Sequence, residues 1–85
     1  MKNVIVIHEL DKQDNEKIVI GVCDSKINAD LLVEEYYGIK NMKEISYHDV
    51  RDSNIECTRV LQIKDSINEG YYNIVLTYEW FELNQ

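Results

Sequence analysis

Apolar residues run almost without a break from Asn3 to Leu10 (NVIVIHEL), a β-branched stretch that suits a strand buried on both faces or an inner strand of a sheet. The polar residues Asp11 to Glu16 interrupt it, and Lys17 to Cys23 (KIVIGVC) resumes as a second strand, so the chain opens with a predicted hairpin. Gly21 within that strand predicts a bulge or the close approach of a neighbouring backbone. The period then lengthens. Asp24 or Ser25 can cap the free amides that open a helix, KINADLLVEEYY follows, and Gly38 supplies the left-handed stop. At about 100° per residue, Ala29, Leu32, Val33 and Tyr36 share the stripe that should lie on the sheet. Ile27 and Leu31 fall nearly opposite, where the Gly38 to Lys43 loop or the helix's neighbours would cover them, or where they would form part of a surface for another protein.

Beyond the helix, Glu44 to Val50 alternates weakly with Ile45 and Tyr47 on one side, and Arg51 to Asn54 reads as a turn. Ile55 to Lys64 alternates with Ile55, Cys57, Leu61 and Ile63 inward. Arg59 breaks that inward set, which places it near a strand edge or against one of the many carboxylates. Tyr71 to Leu83 is long for a strand, and its apolar parity changes after Glu79. A bulge there would bend the strand and make Trp80 and Phe81 adjacent parts of a curled core edge. Tyr36, Tyr47, Tyr72 and Tyr78 are expected inward, Tyr37 and Tyr71 exposed. The expected fold is α+β in the order ββαβββ, one domain over residues 1–85, with an antiparallel sheet of four or five strands and the helix on one face.

Composition narrows the function. The 85 residues, 45% hydrophobic and 29% charged, are within the range of folded domains and allow one modest core. A net charge of −7, with nine basic residues among sixteen acidic ones, argues against direct nucleic-acid binding, which needs Lys and Arg to neutralise phosphates. The same sign could mimic a nucleic acid and occupy a basic channel, provided the acids cluster in space. Along the sequence they do not. No apolar run reaches the ~18 residues of a membrane helix, so a cytoplasmic location without membrane association is expected. Cys23 and Cys57 are read as reduced, buried thiols.

Catalytic signals are weak. His8, Cys23, His48 and Cys57 lack the close pairing that presents two ligands to one zinc ion, so neither metal nor cofactor is expected. Ser46, Tyr47, His48 and Asp49 hold the residue types of a nucleophilic triad, but neighbours in a strand point to opposite faces, so His48 and Asp49 would not meet. Neither a Gly-x-Ser-x-Gly elbow nor a glycine-rich phosphate loop is present. These patterns favour a non-enzymatic protein.

The opening Ile5 to Glu9 (IVIHE), the stretch Ile20 to Asp30 (IGVCDSKINAD) and the closing Tyr78 to Asn84 (YEWFELN) resemble small proteins carried by phages and prophages of low-GC Gram-positive bacteria. That resemblance implies an α+β fold in a bacterial host cytoplasm and carries no catalytic residues across. Some compact acidic phage proteins, anti-CRISPR proteins among them, inhibit host defence nucleases by blocking a basic nucleic-acid channel, and the analogy is at the level of that class. The reading is therefore an acidic interaction module in which Ile27, Asp30, Leu31, Glu34, Glu35 and Tyr37 dock onto a protein with a basic surface. Its alternative is a self-associating assembly module, a homodimer for example, that pairs through an exposed sheet edge such as the last strand.

Overall fold

In a computed structural model, described over residues 2–11, 16–49, 55–65, 67 and 70–83, the chain runs β1 (Lys2–Asp11), β2 (Glu16–Cys23), α1 (Lys26–Tyr37), a single 3-10 turn (Ile39–Asn41), β3 (Met42–His48), β4 (Ile55–Asp65) and β5 (Gly70–Leu83). This is the ββαβββ order read from the pattern. The predicted turn at Arg51 to Asn54 lies outside the described residues. All five strands form one antiparallel sheet in the order β2, β1, β5, β4, β3. Alternating strand directions make the edge strands β2 and β3 parallel, so α1 must cross the whole sheet to join them. No helix among the described residues is long and apolar enough to cross a membrane.

Local chemistry sets the ends of α1. The Ser25 side chain accepts the Asn28 backbone amide at 3.2 Å, closing the N-terminus, and Gly38 at φ +84° returns its own amide to the Glu34 carbonyl. Gly21 lies at the bulge that its position suggested, and what approaches it closely is a side chain rather than a backbone. The β1/β2 register slips between Ile7 and His8, and a Cβ on Gly21 would come within 2.5 Å of Leu32 Cδ1, so the glycine lets the helix settle on β2.

The core lies between α1 and the three middle strands. Ile5, Ile7, Cys57, Leu61, Ile63, Ile74, Leu76 and Tyr78 from the sheet meet Ala29 and Val33 from the helix. Several expectations are corrected here. Tyr36 is 55% exposed rather than part of the buried stripe, because the helix is rolled so that Asp30 and Tyr37 lean toward the sheet with Ala29 and Val33. Tyr72 is exposed too, while Tyr37 is half-buried and donates its hydroxyl to Glu9. The bulge expected at Glu79 sits across the ladder in β4, where the register slips between Ile55 and Cys57 opposite Glu79 and Tyr78. β5 itself pairs with β1 without interruption from Leu83 to Val75. Trp80 and Phe81 consequently point to opposite faces, Trp80 half-buried on the helix side and Phe81 exposed on the other.

Candidate interaction faces and the buried arginine cluster

The outer side of α1 is built by default. Ser25 and Gly38 fix where the helix starts and stops, Ala29 and Val33 fix which side is down, and Ile27 and Leu31 are left 75% and 52% exposed. Neither the Gly38 to Lys43 loop nor a neighbouring element covers them. Glu35 is exposed beside them and Glu34 half-buried. Lys26, the helix's one basic residue, is paired with Asp49. Ile27, Leu31, Glu34 and Glu35 of the expected docking set thus share a surface, whereas Asp30 and Tyr37 are turned inward and are engaged by other side chains.

Asp30 belongs to a cluster around Arg59, whose side chain is 7% exposed. Arg59 Nε and Nη2 donate to Glu44 Oε1 at 3.1 and 2.6 Å, and Nη1 donates to Tyr78 Oη at 2.9 Å and to Asp30 Oδ1 at 3.3 Å. Tyr78 Oη donates to Asp30 Oδ1 at 2.6 Å, and Tyr47 Oη reaches the same carboxylate at 3.1 Å. The guanidinium also stacks on the Tyr47 ring, 4.8 Å from its centroid. Burial opposes the positive charge, but the hydrogen bonds to Glu44 and Tyr78 outweigh it and hold Arg59 protonated beyond its ordinary range. Burial, with the Asp30 carboxylate, raises the Tyr47 and Tyr78 hydroxyls. Burial likewise pushes the Cys57 thiol up to about 11. Cys57 and Cys23 are both free, and a buried thiol held protonated is a poor nucleophile. The cluster clamps helix to sheet with its donors and acceptors already used. Arg59's break in the alternation was its signal in the sequence.

The second face of the sheet carries no helix among the described residues. Paired residues of antiparallel strands project to the same side, so the registers group this face into rows: Phe81 with Val4; Val22, Val6, Glu79 and Ile55; Val19, His8, Thr77, Thr58 and His48; Lys17, Leu10, Val75, Val60 and Ser46. Beyond them lie Asn73, Gln62 and Lys43, then Tyr71 and Lys64. Near its middle, Lys17 Nζ and His8 Nδ1 approach Glu79 Oε1 at 3.1 and 3.3 Å. The histidine contact lacks hydrogen-bond geometry, leaving Nδ1 buried without a hydrogen-bond partner.

Charge divides between the two sides. Glu9, Glu16, Glu44, Asp65 and Glu82 register on the helix side, Lys17, Lys43 and Lys64 on the open side, and Glu79 is the one acid placed there by register among the described residues. Sequence reasoning missed this face, although β1 is apolar at both parities and the described residues hold one α-helix to cover one side. The alternative in which the last strand offers an edge is corrected: β5 is the central strand, paired on both sides, and the edges are β2 and β3. A cleft of about 350 Å³ is lined by Lys40, Lys43, Lys64, Gln62 and Tyr71 among others, and a shallower one of about 230 Å³ by Ile20, Leu32, Glu35 and Tyr36. Neither reaches the Arg59 cluster. Comparison of the chain with protein-family models, curated proteins and solved structures returns no match.

Proposed function

We propose that this chain is a non-enzymatic interaction module that docks the outer side of α1 onto a basic protein, in the manner of an inhibitor that fills the nucleic-acid channel of a host defence enzyme. One observation carries the reading. Ile27 and Leu31, one helical turn apart, stand in water on a helix whose exposed charges are acidic. A helix that docks in a groove needs apolar anchors at that spacing, and charge around them selects the partner and speeds its encounter. The division of charge between the two sides supports the sign of that partner, since acids dispersed in sequence gather on the helix side in space. The reading involves no direct nucleic-acid contact, membrane or cofactor, and its phage origin rests on the resemblance of the sequence motifs.

The test is capture from a low-GC Gram-positive host lysate with and without competing double-stranded DNA. A nucleic-acid-binding protein should be retained, be displaced by the DNA, and elute as salt is raised. Retention should be lost in Glu34→Lys/Glu35→Lys and in Ile27→Ser/Leu31→Ser, and kept in Val75→Thr on the opposite side. A partner whose retention ignores the helix variants, or the absence of any partner, rejects the proposal.

A further inference from the structure

From the face that α1 leaves bare, we infer that a second copy of the chain packs there, sheet against sheet, to form a two-layer sandwich with the helices outermost. An antiparallel sheet with one wet side ordinarily makes that side polar. Here four successive rows carry Phe81, Val4, Val22, Val6, Ile55, Val19, Leu10, Val75 and Val60. Val19, Val22 and Phe81 are 55%, 57% and 41% exposed. Glu79, His8, Thr77 and Thr58 interrupt these rows at the middle of the face, and Lys43, Lys64, Gln62 and Tyr71 lie beyond them at one end, so nine apolar side chains share the four rows with a small polar patch and end on a polar border.

Two arguments select a second copy as the occupant. The first is size. β1 has ten residues and the sheet five strands, so at ~3.4 Å per residue and ~4.8 Å between strands the face measures roughly 34 by 24 Å, about 800 Å². That matches the ~800 Å² each partner contributes to a stable interface, and a sheet of equal size is the surface that packs on it face to face. The second is charge. Two chains of −7 each repel wherever their acidic surfaces meet. Stacking the bare faces sends both acidic helix sides outward, to opposite ends of the pair, and brings together the surfaces poorest in acid. The sandwich also covers the His8 and Glu79 pair, whose side chains are already only 15% and 14% exposed. It rests on neither strand edge, and it holds whether or not the helix side binds a basic partner.

The test is sedimentation equilibrium from about 1 µM to 1 mM at ~0.15 M salt, with methyl NMR over the same series. A species of twice 10.1 kDa should appear, with concentration-dependent shifts at the Val4, Val6, Val60 and Val75 methyls and none at Ile27 or Leu31. A charge among the apolar residues of these rows, Val6→Lys or Val75→Lys, should weaken association at least about tenfold. The milder Val75→Thr should weaken it less while keeping the fold. Ile27→Ser/Leu31→Ser should leave it unchanged. A wild-type chain that stays monomeric at 1 mM overturns the inference, as does a dimer whose shifts map to α1 or to the edges β2 and β3.

Discussion

Replacing Tyr78 with Phe removes one oxygen from the middle of the Arg59 cluster and keeps the ring that fills the core. That oxygen is fully buried with its residue, accepts from Arg59 Nη1 at 2.9 Å and donates to Asp30 Oδ1 at 2.6 Å. Hydrogen bonds to charged groups contribute about 1.5–3 kcal/mol each, so losing two outright would cost roughly 3–6 kcal/mol. The loss is smaller because neither charged partner is stranded. Arg59 keeps Glu44 and its longer contact to Asp30, and Asp30, about a third exposed, keeps Tyr47 and water. We expect a loss near 2 kcal/mol for Tyr78→Phe. Asp30→Ala should cost more, about 3 kcal/mol, since three donors lose one acceptor; exposure of the carboxylate keeps it at the low end for a broken buried pair. Arg59→Met should cost less than Asp30→Ala, as it frees two carboxylates that water can reach. Urea unfolding followed by circular dichroism measures all three. With a slope near 1 kcal/mol per molar, the Tyr78→Phe midpoint should fall by roughly 2 M. A fall under about 0.4 M, or Arg59→Met as the most damaging variant, would refute the reasoning.

Stability should be level to about pH 8.5 and decline above pH 9, because the native state keeps protons on Cys57 and on Tyr37, Tyr47 and Tyr78 that the unfolded chain releases. For Cys57 the window runs from 9.0 to about 11, at up to about 1.4 kcal/mol per pH unit. Urea midpoints at several alkaline pH values should show it, Cys57→Ala should flatten the first part of the decline, and a flat wild-type profile would contradict it. Gly21→Ala should destabilise by about 1–3 kcal/mol through the Leu32 contact, and should cost far less in a Leu32→Ala background; additive effects would show that the side chain is not what the glycine accommodates.

The element order was legible because each element carries its own period and its own stop. Ser25, Gly38 and the β-branched runs act over a few residues, and the structure uses them as read. What eluded the pattern depends on how elements meet. The roll of α1 is set by Asp30 reaching Arg59 and Tyr37 reaching Glu9, two polar contacts that an apolar stripe cannot anticipate, and they expel Tyr36. The parity change after Glu79 was real, but its cause was misplaced. Phe81 is apolar because the bare face is apolar beside it at Val4, and the strand needs no bulge to place it there. Strand order was equally invisible. β5 is the longest strand, and only pairing on both of its sides shows that it is the centre of the sheet and not an edge.

The open face and the acidic helix side have a common origin. A single helix joining the two edge strands must pass over one side of the sheet, and it adds Asp30, Glu34 and Glu35 to a side where Glu9, Glu16, Glu44, Asp65 and Glu82 already stand on strand positions. Asp30 joins the clamp on Arg59 and Glu9 receives Tyr37, and these two contacts hold the helix down while Glu44 braces Arg59 from β3. Glu34 and Glu35 make no such contact and are left to set the sign of the outer surface. On the other side no helix brings acids, so three lysines and a field of valines remain on a surface that would be an aggregation hazard if it met many partners indiscriminately. A chain of net charge −7 keeps its helix sides apart by repulsion, which leaves the bare faces as the surfaces on which two copies can meet. The charge that solubilises one side therefore gives direction to the association of the other.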